Sequence, residues 1–237
     1  LYKRAQKIIS VLPKAYEYIT SLGIPLEKIE WIPNGVDLKR VEHIENNFEK
    51  KTRFKVLYTG VHGITDGLDI LLDSAKILKE RGYSDIVIEL VGDGYEKKRL
   101  MKRALEEGLD NVFFKDPVKK DKVPEILSKA DVLFVNLLAK NIYKYGMSFN
   151  KLFDYLASGK PIISASNASN NPVEEAKAGI TVPPEDPEAV AEAIINLYKM
   201  SEEERLKMGE NGRKYVQEYH DIPVLVDKLE KVIQEVL

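Results

Sequence analysis

Short apolar segments alternate with helical ones from Phe54 onward, and this alternation limits the fold more than any other feature of the chain. Segments rich in Val, Ile and Leu predict strands at 54–59, 86–91, 112–115, 132–137, 161–165 and 179–182. Helices are predicted at 66–81, 96–107, 122–129, 150–158, 173–177, 187–200, 201–219 and 222–237. Strands that each lead into a helix predict an α/β fold, a doubly wound parallel sheet with helices on both faces. Ligand sites of such sheets lie in the loops that follow the strands.

A separate strand–helix–strand pattern precedes Phe54. Strands are predicted at 5–12 and 28–33, and a helix at 13–22. The polar stretch 42–51 has no clear period, and we interpret it as a connector. His43 and His220 both fall in polar surroundings, and both are predicted to be solvated.

Composition excludes several functions. The net charge of −2 over 237 residues gives no basic face for nucleic acid. The absence of Cys excludes disulfides, thiol nucleophiles and Cys-ligated metals, and we find neither a His pair nor an acidic cluster at metal-ligand spacing. The apolar run 132–139 is too short to span a bilayer, and no signal peptide is seen, so we expect a soluble protein. Abundant Lys and Glu favour a heat-adapted source.

The stretch 144–163 carries the strongest chemical pattern. A glycine-containing loop leads into a short helix, whose unpaired N–H groups favour phosphate. Ser148 is predicted to cap this helix, Lys151 lies near its start, and Asp154 follows one turn later on the same face. A cation for phosphate and a carboxylate for hydroxyls suit a nucleotide-sugar. The alternative is an ordinary capped helix with a solvated Lys and Asp.

The loop 58–68 joins the first strand of the large sheet to its helix. Gly60 and Gly63 let a ligand approach the backbone, and the helix start behind them carries partial positive charge. The spacing matches neither a dinucleotide fingerprint nor a P-loop. His62, at the loop tip, is predicted to donate a hydrogen bond to a phosphate oxygen. The alternative is a surface histidine without a ligand.

Two further loops carry weaker patterns. The Gly-Asp-Gly turn at 92–94 is explained by close helix packing as well as by a ligand. The segment 114–118, which ends at Val118, is predicted to place backbone groups against a base. A hydrolase is not indicated, because no Ser lies in a nucleophile-elbow context.

In this order the motifs resemble the C-terminal half of GT-B-fold retaining glycosyltransferases of family 4. The resemblance rests on four segments, 32–37, 58–68, 130–135 and 151–163, and it covers essentially the whole chain. It implies a Rossmann-like domain that binds a nucleotide-sugar donor. The last segment resembles the second half of the family's Glu-x7-Glu motif.

Carried over residue by residue, the resemblance assigns Asp154 to the ribose hydroxyls. The first Glu of the motif falls at Gly146, and the loop cations of the family fall near Val61 and Asp66, so these three side chains are absent here. Such departures are similar to a subgroup that transfers N-acetylated amino sugars in cell-envelope polysaccharide synthesis. Members of that subgroup lack one cation of the first loop and have a lysine in the second, at the position of Lys151.

The resemblance implies sugar transfer with retention, without a protein nucleophile, a metal or a cofactor. His62 and Lys151 are the predicted catalytic residues, since they would stabilise the leaving diphosphate. The predicted donor-binding residues are Gly60, Gly63, Val118, Ser148, Asn150, Lys151 and Asp154. We expect a UDP-sugar as the donor, although a ribose carboxylate is also compatible with GDP.

The resemblance also implies three parts of a longer enzyme. Residues 1–53 would end an N-terminal acceptor domain and form the hinge, 54–220 would bind the donor, and 221–237 would be a helix that crosses back. The apolar stripe Leu225, Leu229, Ile233 and Leu237 would brace the missing N-terminal domain. The expected partners are a glycan or lipid-linked acceptor and that domain, in the cytoplasm, with peripheral attachment to the inner membrane face in the intact enzyme. Alone, the chain is expected to bind donor and turn over little.

Two rival functions remain open on sequence. A nucleotide-sugar 2-epimerase shares the architecture and would bind the same donors. A non-catalytic assembly module built on a doubly wound scaffold would bind no nucleotide at all.

Overall fold

The structure is a computed structural model that describes residues 1–41 and 53–237. The predicted connector 42–51 and His43 lie outside the described residues. Across the described ranges, no helix has the length and apolar character needed to cross a bilayer.

The predicted strands and helices are found, with ends that shift by a few residues. The strands are β1 (Ile8–Ser10), β2 (Ile29–Trp31), β3 (Phe54–Val61), β4 (Ile86–Asp93), β5 (Val112–Lys115), β6 (Val132–Asn136), β7 (Ile162–Ala165) and β8 (Gly179–Val182). The helices are α1 (Ala15–Ser21), α2 (Asp69–Glu80), α3 (Lys97–Glu106), α4 (Val123–Ser128), α5 (Asn150–Ala157), α6 (Pro172–Glu175), α7 (Pro187–Lys199), α8 (Glu202–Tyr219) and α9 (Ile222–Gln234). Helix starts follow local chemistry: Asp186 caps α7, and Ser201 and Glu204 form a capping box on α8.

Six parallel strands form the large sheet in the order β5-β4-β3-β6-β7-β8. The chain builds outward from β3 to β5 and then returns to add β6 on the other side of β3. The loops after β3 and β6 therefore diverge, and such a reversal opens a crevice at the carboxyl ends of the strands. The register pairs Gly60 with Gly92 and Val61 with Asp93 at the very end of β3 and β4.

Two apolar clusters lie on opposite faces of the sheet. One joins the strands to α2 and α7 through residues such as Leu72 and Ile194, both fully buried. The other joins them to α5 and α8 through residues such as Phe153 and Val216. The doubly wound α/β fold predicted from the alternation is thereby confirmed.

A small parallel pair, β1 and β2, stands apart from the large sheet. The turn after β2 then returns to the C-terminal part of the chain, where Val36 and Asp221 form a parallel bridge. Most of the apolar stripe predicted on the tail is exposed: Leu225 is buried, whereas Leu229 is 37% and Ile233 is 44% exposed. Leu237 lies beyond the end of α9.

The prediction of a solvated His220 is wrong. The side chain is 2% exposed and its ring stacks on Phe153 with 4.3 Å between centroids. Nδ1 lies 3.1 Å from the carbonyl oxygen of Asn34. The residues next to His220 in sequence are polar and gave no sign of this burial. The groups that bury the ring, Asn34 and Phe153, lie in distant segments of the chain.

Candidate functional site

A cleft of about 390 Å³ opens at the carboxyl ends of β3 and β4, beside α5. It is lined by Thr59, Gly60, Val61, Val91, Gly92, Asp93, Pro117, Val118, Val123, Lys151, Asp154 and Tyr155. Four of the residues singled out from sequence, Gly60, Val118, Lys151 and Asp154, therefore meet in one cavity. It lies at the carboxyl ends of the strands, where parallel sheets of this kind bind their ligands.

Lys151 lies in the first turn of α5 and bonds to the loop after β3. Its Nζ donates to Tyr58 Oη at 2.6 Å and lies 3.3 Å from Asp66 Oδ1. The ammonium also stands 4.0 Å from the centroid of the Tyr58 ring, in cation–π contact. The side chain is 22% exposed. Burial lowers the pKa of Lys151, and the Asp66 carboxylate opposes that effect.

Tyr58 is the buried centre of this cluster. Its hydroxyl lies 2.6 Å from Asp66 Oδ1 and 2.7 Å from the Val61 carbonyl oxygen. Burial, and then the Asp66 carboxylate, raise the pKa of Tyr58 far above its usual value. The hydroxyl therefore stays protonated and neutral, and it accepts from Lys151 while donating to an oxygen.

Two glycines make room for the Lys151 ammonium. Gly60 has φ +147°, and a Cβ there would lie 2.7 Å from Lys151 Nζ. A side chain at Gly92 would collide with the backbone of Gly60. Gly60 thus leaves room for the Lys151 side chain, and Gly92 leaves room for the Gly60 carbonyl beside it. Gly63, by contrast, is absent from the cleft lining and accepts from the Asp66 amide at 3.1 Å.

His62 is buried under the cleft rather than exposed at a loop tip. It is 0% exposed, and its ring lies between Tyr58 and Phe114, with centroids 6.0 and 6.2 Å away. Its amide donates to the Asp93 carbonyl at 2.8 Å, which continues the β3–β4 pairing by one residue and turns the ring inward. Neither ring nitrogen has a hydrogen-bond partner among the described residues. Burial, and then the Lys97 charge, lower the pKa of His62, so the ring is neutral at pH 7.

Asp154 lies one turn after Lys151 and lines the same cleft. No hydrogen bond joins its carboxylate to another residue in the described part of the chain. Burial raises the pKa of Asp154, while the charges of Arg40 and Lys120 lower it. The carboxylate therefore faces the cleft with its acceptor capacity unused.

Ser148 does not cap α5, and that prediction is wrong. The residue at the cap position is Phe149, whose side chain makes no capping bond. Ser148 Oγ instead accepts from the Asn34 amide at 2.9 Å, and Asn34 Nδ2 donates to the Ser148 carbonyl at 2.7 Å. Ser148 thus ties the turn after β2 to the start of α5. Asn150 is exposed at the helix start and is absent from the cleft lining.

Gly146 shows why no acidic side chain can stand at its position. Its φ is +109°, and a Cβ there would lie 2.5 Å from Pro13 Cδ and 2.6 Å from Asn170 Oδ1. The missing acidic side chain thus coincides with a backbone that has no room for it.

Sequence reasoning missed Tyr58, Asp66 and Tyr155 as parts of the site. Tyr155 is fully buried, and its hydroxyl accepts from the Thr59 amide at 2.7 Å, which fixes α5 against β3. The two tyrosines read as ordinary core residues of a strand and a helix, and only their partners in space reveal a role. Asp66 had one signal: it stands where the resembled family has a cation.

The cleft offers a cation, a free carboxylate and an apolar wall. Lys151 and the Gly60 backbone suit an anion, Asp154 suits hydroxyl groups, and Pro117 and Val118 suit a flat ring. Within residues 1–41 and 53–237, no group of three His, Asp or Glu side chains is placed to hold a metal ion.

Comparison with known proteins agrees with this geometry. Residues 39–215 match the family described as glycosyl transferases group 1. An uncharacterized glycosyltransferase of Methanocaldococcus jannaschii is 21% identical over 246 residues, which cover 100% of this chain and 60% of that protein. The O-antigen chain mannosyltransferase C of Escherichia coli is 27% identical over 198 residues, 81% of this chain and 48% of that protein. The chain thus spans 48% to 60% of the length of these relatives.

Solved structures show the same fold at low identity. The Anabaena protein HepE, in complex with UDP and glucose, has a TM-score of 0.79 at 16% identity, over 98% of this chain and 64% of that chain. A sucrose-phosphate synthase from Thermosynechococcus elongatus has a TM-score of 0.79 at 20% identity, over 99% of this chain and 59% of that chain.

Proposed function

Because the chain belongs to the glycosyl transferases group 1 family and has the fold of GT-B glycosyltransferases, we propose that it is the donor-binding part of a sugar transferase. The proposed donor is a UDP-sugar. The observation that carries the proposal is the pair Lys151 and Asp154, which lie one helical turn apart in the same cleft. A nucleoside diphosphate needs a cation for its phosphates and a hydrogen-bond acceptor for its ribose hydroxyls. The distance between these two contacts is about the rise of one helical turn.

In this proposal each part of the donor has its own contacts. The diphosphate lies over Gly60 against Lys151, the ribose hydroxyls donate to Asp154, and the base lies on Pro117 and Val118. UDP is preferred over GDP because HepE, which shares the fold, was solved with UDP. Gly63, Ser148 and Asn150 remain part of the proposal as residues that shape the two loops.

The proposed reaction is transfer with retention, in the manner of family 4. The bond from the anomeric carbon to the phosphate oxygen breaks, and its electron pair leaves with the diphosphate. The acceptor hydroxyl bonds to the same face of the sugar, and its proton passes to the departing phosphate oxygen. Lys151 stabilises the charge that develops on the diphosphate.

His62 has a secondary role in this mechanism, because it contacts the diphosphate only after a movement of the loop. Its ring is buried behind Gly92, so direct contact with phosphate requires the loop after β3 to move. Lys151 reaches the cleft without any such movement. The proposal therefore assigns the leaving-group charge to Lys151 first, and to His62 only through a shifted loop.

The proposal includes an N-terminal acceptor domain as partner, with residues 1–53 as its end and hinge, 54–220 as the donor domain and 221–237 as the crossing helix. Exposed apolar side chains on both outer parts support it: Ile9 and Trp31 are each 45% exposed, and Ile233 is 44% exposed. The preferred donors are N-acetylated amino sugars, and the acceptor is a growing cell-envelope glycan in the cytoplasm. No resident cofactor takes part.

Calorimetric titration with UDP, GDP and UDP-N-acetylglucosamine tests the proposal. We expect saturable binding of UDP and its conjugate, weakened by Lys151→Ala and by Asp154→Ala. Lys102→Ala is the matched control, because Lys102 is 74% exposed and, among the described residues, forms an ion pair with Glu106 alone, at 3.6 Å. Absence of binding by the unmodified chain would favour a non-catalytic module, and binding that ignores both substitutions would move the site elsewhere.

A further inference from the structure

Asp66 places a carboxylate beside the cation of the proposed diphosphate site. The resembled family has a cation near this position of the loop, and this sequence has an acid instead. A lone acid beside a phosphate would oppose binding, since like charges repel. Its place beside Lys151, with 3.3 Å between Oδ1 and Nζ, therefore calls for a function that depends on that cation.

The position of Asp66 is fixed from two sides. Asn136 Nδ2 donates to the Asp66 carbonyl at 2.9 Å, and the next residue, Gly67, turns the chain with φ +56°. A Cβ at Gly67 would lie 2.8 Å from Asn136 Nδ2, so the turn fits against β6 only as glycine. The carboxylate is thereby aimed at Tyr58 and Lys151, and its side chain is 23% exposed.

Lys151 has three N–H donors, and the cluster uses two of them. One bonds to Tyr58 Oη at 2.6 Å and one faces Asp66 Oδ1 at 3.3 Å. The third remains for a ligand in the cleft. Because two bonds fix the ammonium, the third points in a defined direction before any ligand arrives.

Among the neighbouring groups, Asp66 is the anion that offsets the burial of Lys151. Tyr58 on β3 is protonated, and His62 under the strand end is neutral, since the Lys151 charge helps to lower its pKa. Tyr143, in the loop before α5, has a pKa raised by burial and by Asp66, so it is neutral as well. Two further carboxylates line the cleft, Asp93 at the end of β4 and Asp154 one turn along α5, and neither bonds to Lys151.

We propose that Asp66 is a positioning residue, which together with Tyr58 holds the Lys151 ammonium charged and oriented toward the diphosphate of the donor. The inference deepens the proposed function and rests on it for the identity of the ligand. In this arrangement the helix supplies the cation that binds the diphosphate, and the loop supplies the carboxylate that holds this cation in place. Net charge in the cluster is zero without donor, and the diphosphate adds its charge to a cation that is already in place.

Two measurements across pH 7.5 to 11 test the inference, on the unmodified chain and on Asp66→Asn. The first is the NMR titration of the Lys151 ε-carbon in the ligand-free protein, with the signal assigned by its loss in Lys151→Arg. We expect the midpoint of Asp66→Asn to lie lower by about one pH unit or more, as for loss of an adjacent opposite charge. An unchanged midpoint overturns the inference, whether or not the protein binds UDP.

The second measurement is UDP affinity by calorimetry over the same pH range. In Asp66→Asn we expect affinity to fall at a lower pH than in the unmodified chain. The double variant Asp66→Asn with Lys151→Arg should restore flat binding, because a guanidinium stays charged. A purely structural role for Asp66 would weaken binding equally at every pH, without rescue by arginine, and would contradict the inference.

Asp110→Asn is the control for charge. Asp110 precedes β5 at the far end of the sheet and pairs with Lys79 at 2.9 Å, so the same substitution there leaves both profiles unchanged. A loss of affinity shared by every variant belongs to ionisation of the nucleotide. If no variant binds UDP while the NMR midpoint still shifts, the proposed function fails and the role of Asp66 toward Lys151 stands.

Discussion

Lys151 and Asp154 lie on the same face of α5, yet their environments differ in kind. Lys151 is held by Tyr58 and Asp66, whereas the Asp154 carboxylate makes no hydrogen bond to any residue in the described ranges. One group is oriented before a ligand arrives, and the other is left with unused acceptors. The fold thus orients one half of the site through its own contacts and leaves the hydrogen bonds of the other half to the ligand.

The largest expected effect is that of Lys151→Ala on binding. Loss of a partly buried cation facing a diphosphate should weaken UDP affinity about 100-fold, the equivalent of about 3 kcal/mol. Calorimetry measures it, with Lys102→Ala as the control. A loss smaller than threefold would contradict this view of the site, since Lys151 would then not be the group that binds the diphosphate.

A smaller loss is expected for Asp154→Asn. An amide of the same shape still accepts a hydrogen bond but carries no charge, so UDP affinity should fall about tenfold. The same variant should lose nothing in its affinity for inorganic pyrophosphate, which has no ribose. Equal losses for both ligands would contradict the contact between Asp154 and the ribose.

Stability should change in opposite directions at the two positions. Lys151→Met leaves Asp66 without its cation and should destabilise the fold by about 1–2 kcal/mol. Asp154→Asn removes a partly buried charge that has no hydrogen-bond partner among the described residues, and it should stabilise the fold by up to about 1 kcal/mol at pH 7. Urea unfolding of the two variants and of the unmodified chain gives both changes in the free energy of unfolding. Two changes of the same sign would contradict the difference proposed between the two positions.

The stability gained in Asp154→Asn should depend on pH. Burial raises the folded-state pKa of Asp154, so the protonated carboxyl is favoured by folding. The contribution of this group to stability is therefore largest below its unfolded pKa and is lost as pH rises through the folded value. We expect the difference between the two proteins to vanish at low pH and to grow toward pH 7. A difference that stays constant with pH would place its origin in packing.

The smallest effect is expected for His62→Leu. The ring is buried and absent from the cleft lining, so UDP affinity should change less than twofold in the geometry described. Because both ring nitrogens lack partners among the described residues, an apolar replacement should not cost stability. A tenfold loss of affinity would show that the loop after β3 moves and brings His62 to the phosphate.

The fold was accessible from sequence because its signals are local. The periodicity of a strand such as Phe54–Val61, and the turn glycines around it, act over a few residues. The same holds for the placement of Lys151 and Asp154, which lie one helical turn apart and therefore share one face of α5.

The rest of the site depends on contacts that no local pattern encodes. Tyr58 and Lys151 are 93 residues apart in sequence, and the helix period that placed Lys151 says nothing of what it meets. The burial of His62 likewise follows from one extra backbone pairing, at Asp93, beyond the end of β3. Ser148 was assigned to its own helix because capping is local, while its partner Asn34 lies 114 residues away.

The contact of His220 Nδ1 with the Asn34 carbonyl spans 186 positions of the chain. Arg40 and Val36 stand just after Asn34 and wall the recess at Asp154. During synthesis, this last contact of the turn can form only after His220 has emerged, whereas β3 and β4 can pair much earlier. A nascent chain stalled before His220 would therefore carry the paired strands and the cleft residues, while its turn after β2 still lacked one of the contacts that fix it.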